Sequence, residues 1–205
     1  MFKEGVVGSY VYLIGSDSAQ PLVAKENPLF MLSARYELPL FWLCLFKADD
    51  YSLVIDEAET EYENRYPFFS ISKNLALKNA TLREQYVLAL LPGKWSKLWH
   101  EFIAFIQSSN CQYIHFNQIE HACMCDSFEE WREQNQQIIT GLDAEPIVYK
   151  RAFIFKRKYL TKAWYHALAA ANITFPALND ITPWKLVGGD GEFMPSPKYL
   201  AMWDH

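Results

Sequence analysis

Residues 37–46 read ELPLFWLCLF, and the placing of that stretch decides the fold. Its residues 38–46 form the longest apolar run of the chain. A membrane-spanning helix needs about 18 or more such residues, roughly twice this run. Glu37 stands where a helix would start. Pro39 falls in the first turn, where its missing N–H costs nothing. A helix that is apolar all round is buried. The stretch therefore predicts a short helix inside the core of a globular domain.

Strand patterns flank it. SYVYLIGS at 9–16 alternates, is rich in aromatic and β-branched residues, and predicts a first strand. DSAQPLVAKENP, with two prolines, reads as a loop. YSLVIDEA at 51–58 predicts a strand that runs out into acidic sequence, and YPFFSISK at 66–73 predicts another. The middle of the chain reads as helical. In NATLREQYVLALL, Thr81 and Glu84 form a capping box, and Pro92-Gly93 ends the helix. KWSKLWHEFIAFIQ places Trp95, Leu98, Trp99, Phe102, Ile103 and Ile106 at helical spacing. CQYIHFNQIEHAC reads as extended. Ser127 and Glu130 form a second capping box, with Gly141 as the helix stop.

After Asp143 the texture changes. PIVYKRAFIFKRKYL starts strand-like and turns basic, TKAWYHALAAANI is a short helix, and a Pro- and Gly-rich tail follows. That tail is expected to pack through Trp184, Phe193, Tyr199 and Trp203. Strands and helices do not alternate strictly, which predicts α+β: an antiparallel sheet of about four to five strands packed against a helical layer, with an irregular C-terminal extension. Residues 1–145 are expected to form the α+β core domain and residues 146–205 an extension packed on it, in one globular unit of 205 residues.

Charge divides the same way. Residues 1–145 carry 11 Lys and Arg against 20 Asp and Glu; residues 146–205 carry 8 against 4. Seven acids lie between Asp49 and Glu63 with no base among them, and six bases between Lys150 and Lys162 with no acid. The basic segment interleaves aromatics with cations, as a nucleic-acid groove requires. The net charge of −5 and pI near 5.5 argue against that partner. No apolar run suits a membrane, and the start lacks a signal-peptide cleavage site, so a cytoplasmic location with reduced thiols is expected.

HACMCD at 121–126 invites a metal or redox reading. In an extended segment, His115 and His121 would lie roughly 20 Å apart at about 3.3 Å per residue, too far to share an ion. Only His121, Cys123 and Cys125 can converge, and H-x-C-x-C is not structural zinc spacing. These three are the candidate ligands, but the reading goes to buried thiols at a strand end, with no metal and no cofactor. GGDG at 188–191 lacks the strand–loop–helix context of a phosphate loop. His100-Glu101 reads as helix surface. No catalytic motif stands out, and no catalytic residue is assigned.

The opening GSYVYLIGSD, the YELPLFWLCLF helix, the FFSIS strand and a helix pair leading to YIHFNQIE resemble a family. It is that of the small bacterial proteins found in polymorphic-toxin and immunity loci, some of which carry an RSYLY strand and a YDIP segment before the first helix. The resemblance spans residues 8–125, and the tail after 145 has no counterpart in it. It implies an antitoxin-like binding protein and carries no catalytic residue over. An acidic chain suits a basic toxin, with electrostatic steering for speed. The expected function is thus an immunity protein that neutralises a cognate, basic protein toxin by occluding its active site. The candidate partner surface is Asp49, Asp50, Tyr51, Asp56, Glu57, Glu59, Glu61, Tyr62 and Glu63, with Tyr51, Tyr62 and Tyr66 as possible anchors. The alternatives are a small hydrolase or transferase with a site built from scattered residues, and an adaptor or chaperone that loads an effector.

Overall fold

Strand β1 (Tyr10–Ser16) pairs antiparallel with β2 (Phe30–Arg35) on one side and β5 (Tyr113–Asn117) on the other. This is a computed structural model, and it describes residues 9–55, 65–91, 93–152, 155–173 and 181–202. β4 (Arg65–Ser72) joins β5, β3 (Tyr51–Ile55) joins β4, and the two-residue β8 (Asp190–Gly191) joins β2. Among the described residues the sheet order is β3-β4-β5-β1-β2-β8, antiparallel throughout. β6 (Ile147–Ala152) and β7 (Phe155–Leu160) form a separate antiparallel hairpin. The protein is α+β.

The stretch at 38–46 is the middle of the core. Only Leu40–Leu43 is helical (α2), yet Leu40 through Phe46 are each 0% exposed. Trp42 and Phe46 meet Phe116 of the sheet at 5.6 and 5.9 Å between ring centroids, and Phe46 meets Phe69 at 6.0 Å. On the other side Phe41 packs edge-on against Trp99 at 4.9 Å, a residue of α4 (Ser96–Ser108). The segment is apolar all round because sheet and helix layer each cover one side of it.

So short a helix leaves carbonyls without partners in an apolar place. Helix α3 (Lys73–Leu90) supplies the donors. Asn79 Nδ2 donates to the Leu45 carbonyl, and Arg83 Nη1 donates to those of Leu43, Cys44 and Phe46. Arg83 Nη2 reaches Ile139 O, and its Nε pairs with Asp143 at 2.9 Å. These two polar residues share the buried face of α3 with Ala76, Ala80 and Val87. They hide that face from a hydrophobic pattern, which is why the start of α3 goes unread. Thr81 is not its N-cap: it lies mid-helix and donates to Leu77 O.

Other boundaries differ too. DSAQPLVAKENP contains helix α1 (Pro21–Glu26), which has no side-chain cap and no acid in its first turn to announce it. β2 goes unread because its outward positions mix Met31, Ser33 and Arg35. The extended segment ends at Asn117; Ile119–Ala122 is a single turn, α5. Helix α6 (Phe128–Gly141) starts as expected, with Glu130 N donating to Ser127 Oγ.

The C-terminal segment lies on the core. Helix α7 (Lys162–Ala170) packs on α6, and the Trp164 indole donates to Ala144 O. After α8 (Trp184–Val187), Gly188 and Gly191 take left-handed φ values of 85° and 126°. A Cβ at Gly191 would lie 2.2 Å from Met31 O, so glycine is what lets β8 close on β2. Phe193 meets Phe102 and Phe105. In α9 (Pro197–Leu200), Tyr199 stacks on Trp95 and donates to Lys94 O. Trp203 lies outside the described residues.

Candidate functional site

The acidic surface begins in a 3-10 turn, Ala48–Asp50, that feeds β3. Asp49 is exposed. Asp50 is half-buried, and its carboxylate accepts from Lys47 N at 2.6 Å. Burial pushes that carboxyl up, and the Lys47 bond offsets it only in part. Tyr51 is a packing residue as much as a surface one. Its ring meets Phe69 at 5.8 Å and Trp131 at 5.7 Å, with the Arg132 guanidinium 5.9 Å away. Tyr66 is 7% exposed, with Lys25 Nζ over its ring. Asp56, Glu57, Glu59, Glu61, Tyr62 and Glu63 lie outside the described residues.

β3 itself is an edge strand. Among the described residues it pairs only with β4, and Leu53 and Ile55 are 38% and 56% exposed. An edge with unpaired N–H and C=O groups accepts another chain unless something guards it. In sequence, carboxylates both precede and follow this strand.

The HACMCD residues sit beyond β5, not along it. His121 is in α5, Cys123 is exposed and Cys125 is half-buried. Burial lowers the His121 pKa, and its Nδ1 has no hydrogen-bond partner. Burial, then the Glu130 and Asp126 charges, push the Cys125 thiol up and disfavour the thiolate a metal requires. Among the described residues no three His, Cys, Asp or Glu side chains are grouped to hold a metal ion. His115 is elsewhere, buried within β5 between β1 and β4: its Nε2–H donates to Ser18 O at 2.9 Å and its Nδ1 accepts from Ser70 Oγ at 3.0 Å. Glu101 does not serve His100; it accepts from Ser196 N at 2.9 Å and anchors the tail.

A second region is a pocket of about 590 Å³ at the C-terminal end of β2, lined by Tyr10, Arg35, Tyr36, Glu37, Asn172 and Trp184, among others. Tyr36 and Asn172 are the two non-glycine residues with positive φ among those described, at 62° and 51°. Asn172 has a local reason. It follows α7 in a Schellman turn, with Asn172 N donating to Ala169 O and Ile173 N to Leu168 O. Tyr36 has no such turn. Its N–H is fixed to Ser9 O and that of Leu38 to Ala170 O, so the chain is pinned on both sides of the left-handed residue. An aromatic held there stores about 1–2 kcal/mol of strain. The Arg35 guanidinium lies 5.7 Å from the Tyr10 ring and 4.9 Å from the Tyr36 ring. Glu37 is 6% exposed. Burial raises its carboxyl to about 7 against the lowering charge of Lys185, and no hydrogen bond holds it.

The pocket's groups come from residues 10, 35–37, 172 and 184, so no local spacing could announce it. The one readable sign was Glu37 beside a buried run. Compared with family models, curated proteins and solved structures, the chain shows no match.

Proposed function

We propose that this chain is an immunity-type protein that binds a basic protein toxin and occludes its active site with the acidic margin of β3. The observation that supports this most is the run of seven carboxylates from Asp49 to Glu63, without a base, on either side of an edge strand. β3 is paired along its length with β4 and tied to the core by Tyr51 on Phe69 and Trp131. Leu53 and Ile55 add exposed apolar contact to the charge. A concentrated field of one sign accelerates encounter with a partner of the other sign and rejects like-charged proteins. Charged residues next to an edge strand also disfavour edge-to-edge pairing of copies.

The test begins with the toxin gene expected beside this one, whose expression should kill only in this protein's absence. The surface reading predicts that charge reversal at Asp56, Glu57, Glu59 and Glu61 to Lys leaves the melting temperature within about a degree or two, because charges that stay in water contribute little. Association with the toxin should slow about tenfold or more at low salt, and the wild-type rate should fall steeply as salt rises. An unchanged association rate in the quadruple variant would remove this surface from the interface.

A further inference from the structure

Two side chains in the pocket beside β2 lack partners. Glu37 is buried with no hydrogen bond to its carboxyl. Trp184 is half-buried, and its indole enters no ring pair, cation contact or hydrogen bond among the described residues. Among the described residues the Glu37 carboxyl accepts no protein hydrogen bond and the Trp184 indole has no ring or cation against it, and one kind of group meets both needs. Trp is the best aromatic partner for a cation, and a carboxylate supplies the counter-charge. The rings across the pocket already stand beside a cation, because Arg35 lies against Tyr10 and Tyr36. We propose that this pocket binds one organic cation, an alkylammonium or alkylguanidinium group, between the Trp184 indole and the Glu37 carboxyl.

The charges in place do not meet that need. Lys185 of α8 acts on Glu37, yet burial outweighs it and leaves the carboxyl near 7. Arg35 of β2 is exposed, so water and salt screen it from an entering group. Tyr10 of β1 and Tyr36 complete the titratable lining, and Asn172 carries no charge. The Tyr36 ring of that wall is held to Arg35, whose Nη2 donates to the Tyr36 hydroxyl at 3.2 Å. This goes beyond the binding reading above, because the pocket borders β2 and three strands separate it from β3; in a basic toxin large enough to reach it, the cation is a Lys or Arg side chain. The same chemistry also fits a free alkylamine.

The sign of the pH response follows. A cation binds the ionised carboxylate and expels its proton. With Glu37 near 7, affinity should therefore be about tenfold higher at pH 8 than at pH 6. The experiment titrates n-butylammonium and n-butylguanidinium into the full chain at both pH values and follows the Trp184 indole N–H by NMR. Saturable shifts that strengthen with pH and vanish in Glu37→Gln support the proposal, as does weaker butylammonium binding by Trp184→Leu, read by calorimetry because that variant lacks the indole reporter. Butyrate is the counter-probe. Tighter binding of butyrate, growing as pH falls, would overturn the proposal in favour of an anion site, and silence of the indole toward every probe would overturn it outright. The titration needs no toxin, so it stands or falls apart from the immunity reading. With a toxin in hand, loss of both butylammonium and toxin binding in Glu37→Gln assigns the cation to the toxin. Loss of butylammonium binding alone assigns it to a free amine.

Discussion

Arg83 carries a full charge to a position with no exposed surface. It is tolerable there because every direction its guanidinium faces holds an acceptor: three carbonyls of residues 43–46, Ile139 O and the Asp143 carboxylate. Burial alone would raise the Asp143 carboxyl. The hydrogen bonds and charges of Arg83 and Lys47 outweigh that and hold it below the usual carboxylate value. One side chain thus closes the ragged end of α2 and ties it to α6. Truncation removes donors from several buried carbonyls at once. Arg83→Met should therefore cost about 3–5 kcal/mol in denaturant unfolding, although Met fills much of the volume. Asp143→Asn should cost less, because the Asp143 side chain is 41% exposed and water can replace what it gives. Equal losses in the two variants would mean the ion pair, not the carbonyl contacts, carries the stability. The sequence shows none of this. An Arg is read as surface unless its acceptors are known, and these lie some 40 to 60 residues away.

At the scale of elements, α4 was readable and α6–α7 was readable for a different reason than its true one. The tryptophan helix keeps an unmixed apolar stripe, and Leu98, Trp99, Phe102 and Ile106 are buried as their spacing requires. Gly141 does end α6, but not through a left-handed turn: the following Leu142 has φ −70°, and Gly141 is not among the residues with positive φ. What needs glycine is the neighbouring helix. A Cβ at 141 would stand 2.6 Å from the Ala163 Cβ of α7, closer than two carbons can approach. Gly141→Ala should destabilise by about 1–3 kcal/mol through overpacking, although alanine favours helix elsewhere. Ala163→Gly should cost up to about 1 kcal/mol through lost helix propensity. The double variant should recover more than the sum of the singles allows, because Ala163→Gly vacates the space the new methyl takes. A double-mutant cycle in urea measures the coupling. Additive costs would show that α7 simply moves aside and that the close approach is not a constraint.

Over the whole molecule the dominant fact is segregated charge, and that much is plain in the sequence. The structure adds how the basic half is arranged. In the β6–β7 hairpin, Lys150 stands opposite Arg157, so like charges face each other across the ladder. Such pairs destabilise by roughly 0.2–1 kcal/mol each, in a two-stranded ribbon that is marginal by nature. Ile147 and Leu160 at its base pack on the core, while Tyr149 and Tyr159 are exposed at 67% and 39%. Elsewhere in the sequence, seven carboxylates crowd the stretch from Asp49 to Glu63. Two self-repelling clusters make the fold respond to salt in a definite direction. Screening over a Debye length of about 10 Å at 0.1 M relieves repulsion inside each cluster. The melting temperature should therefore rise between about 10 and 300 mM sodium chloride. Arg157→Glu replaces one repulsive cross-strand pair with an attractive one, so it should raise stability at low salt by up to about 1 kcal/mol and flatten the salt response. The opposite sign has an equally definite meaning. If salt lowers the melting temperature, the acidic stretch and the basic ribbon attract one another within the fold. The carboxylates assigned to a basic partner would then already be neutralised, and Arg157→Glu would destabilise the protein by breaking that contact.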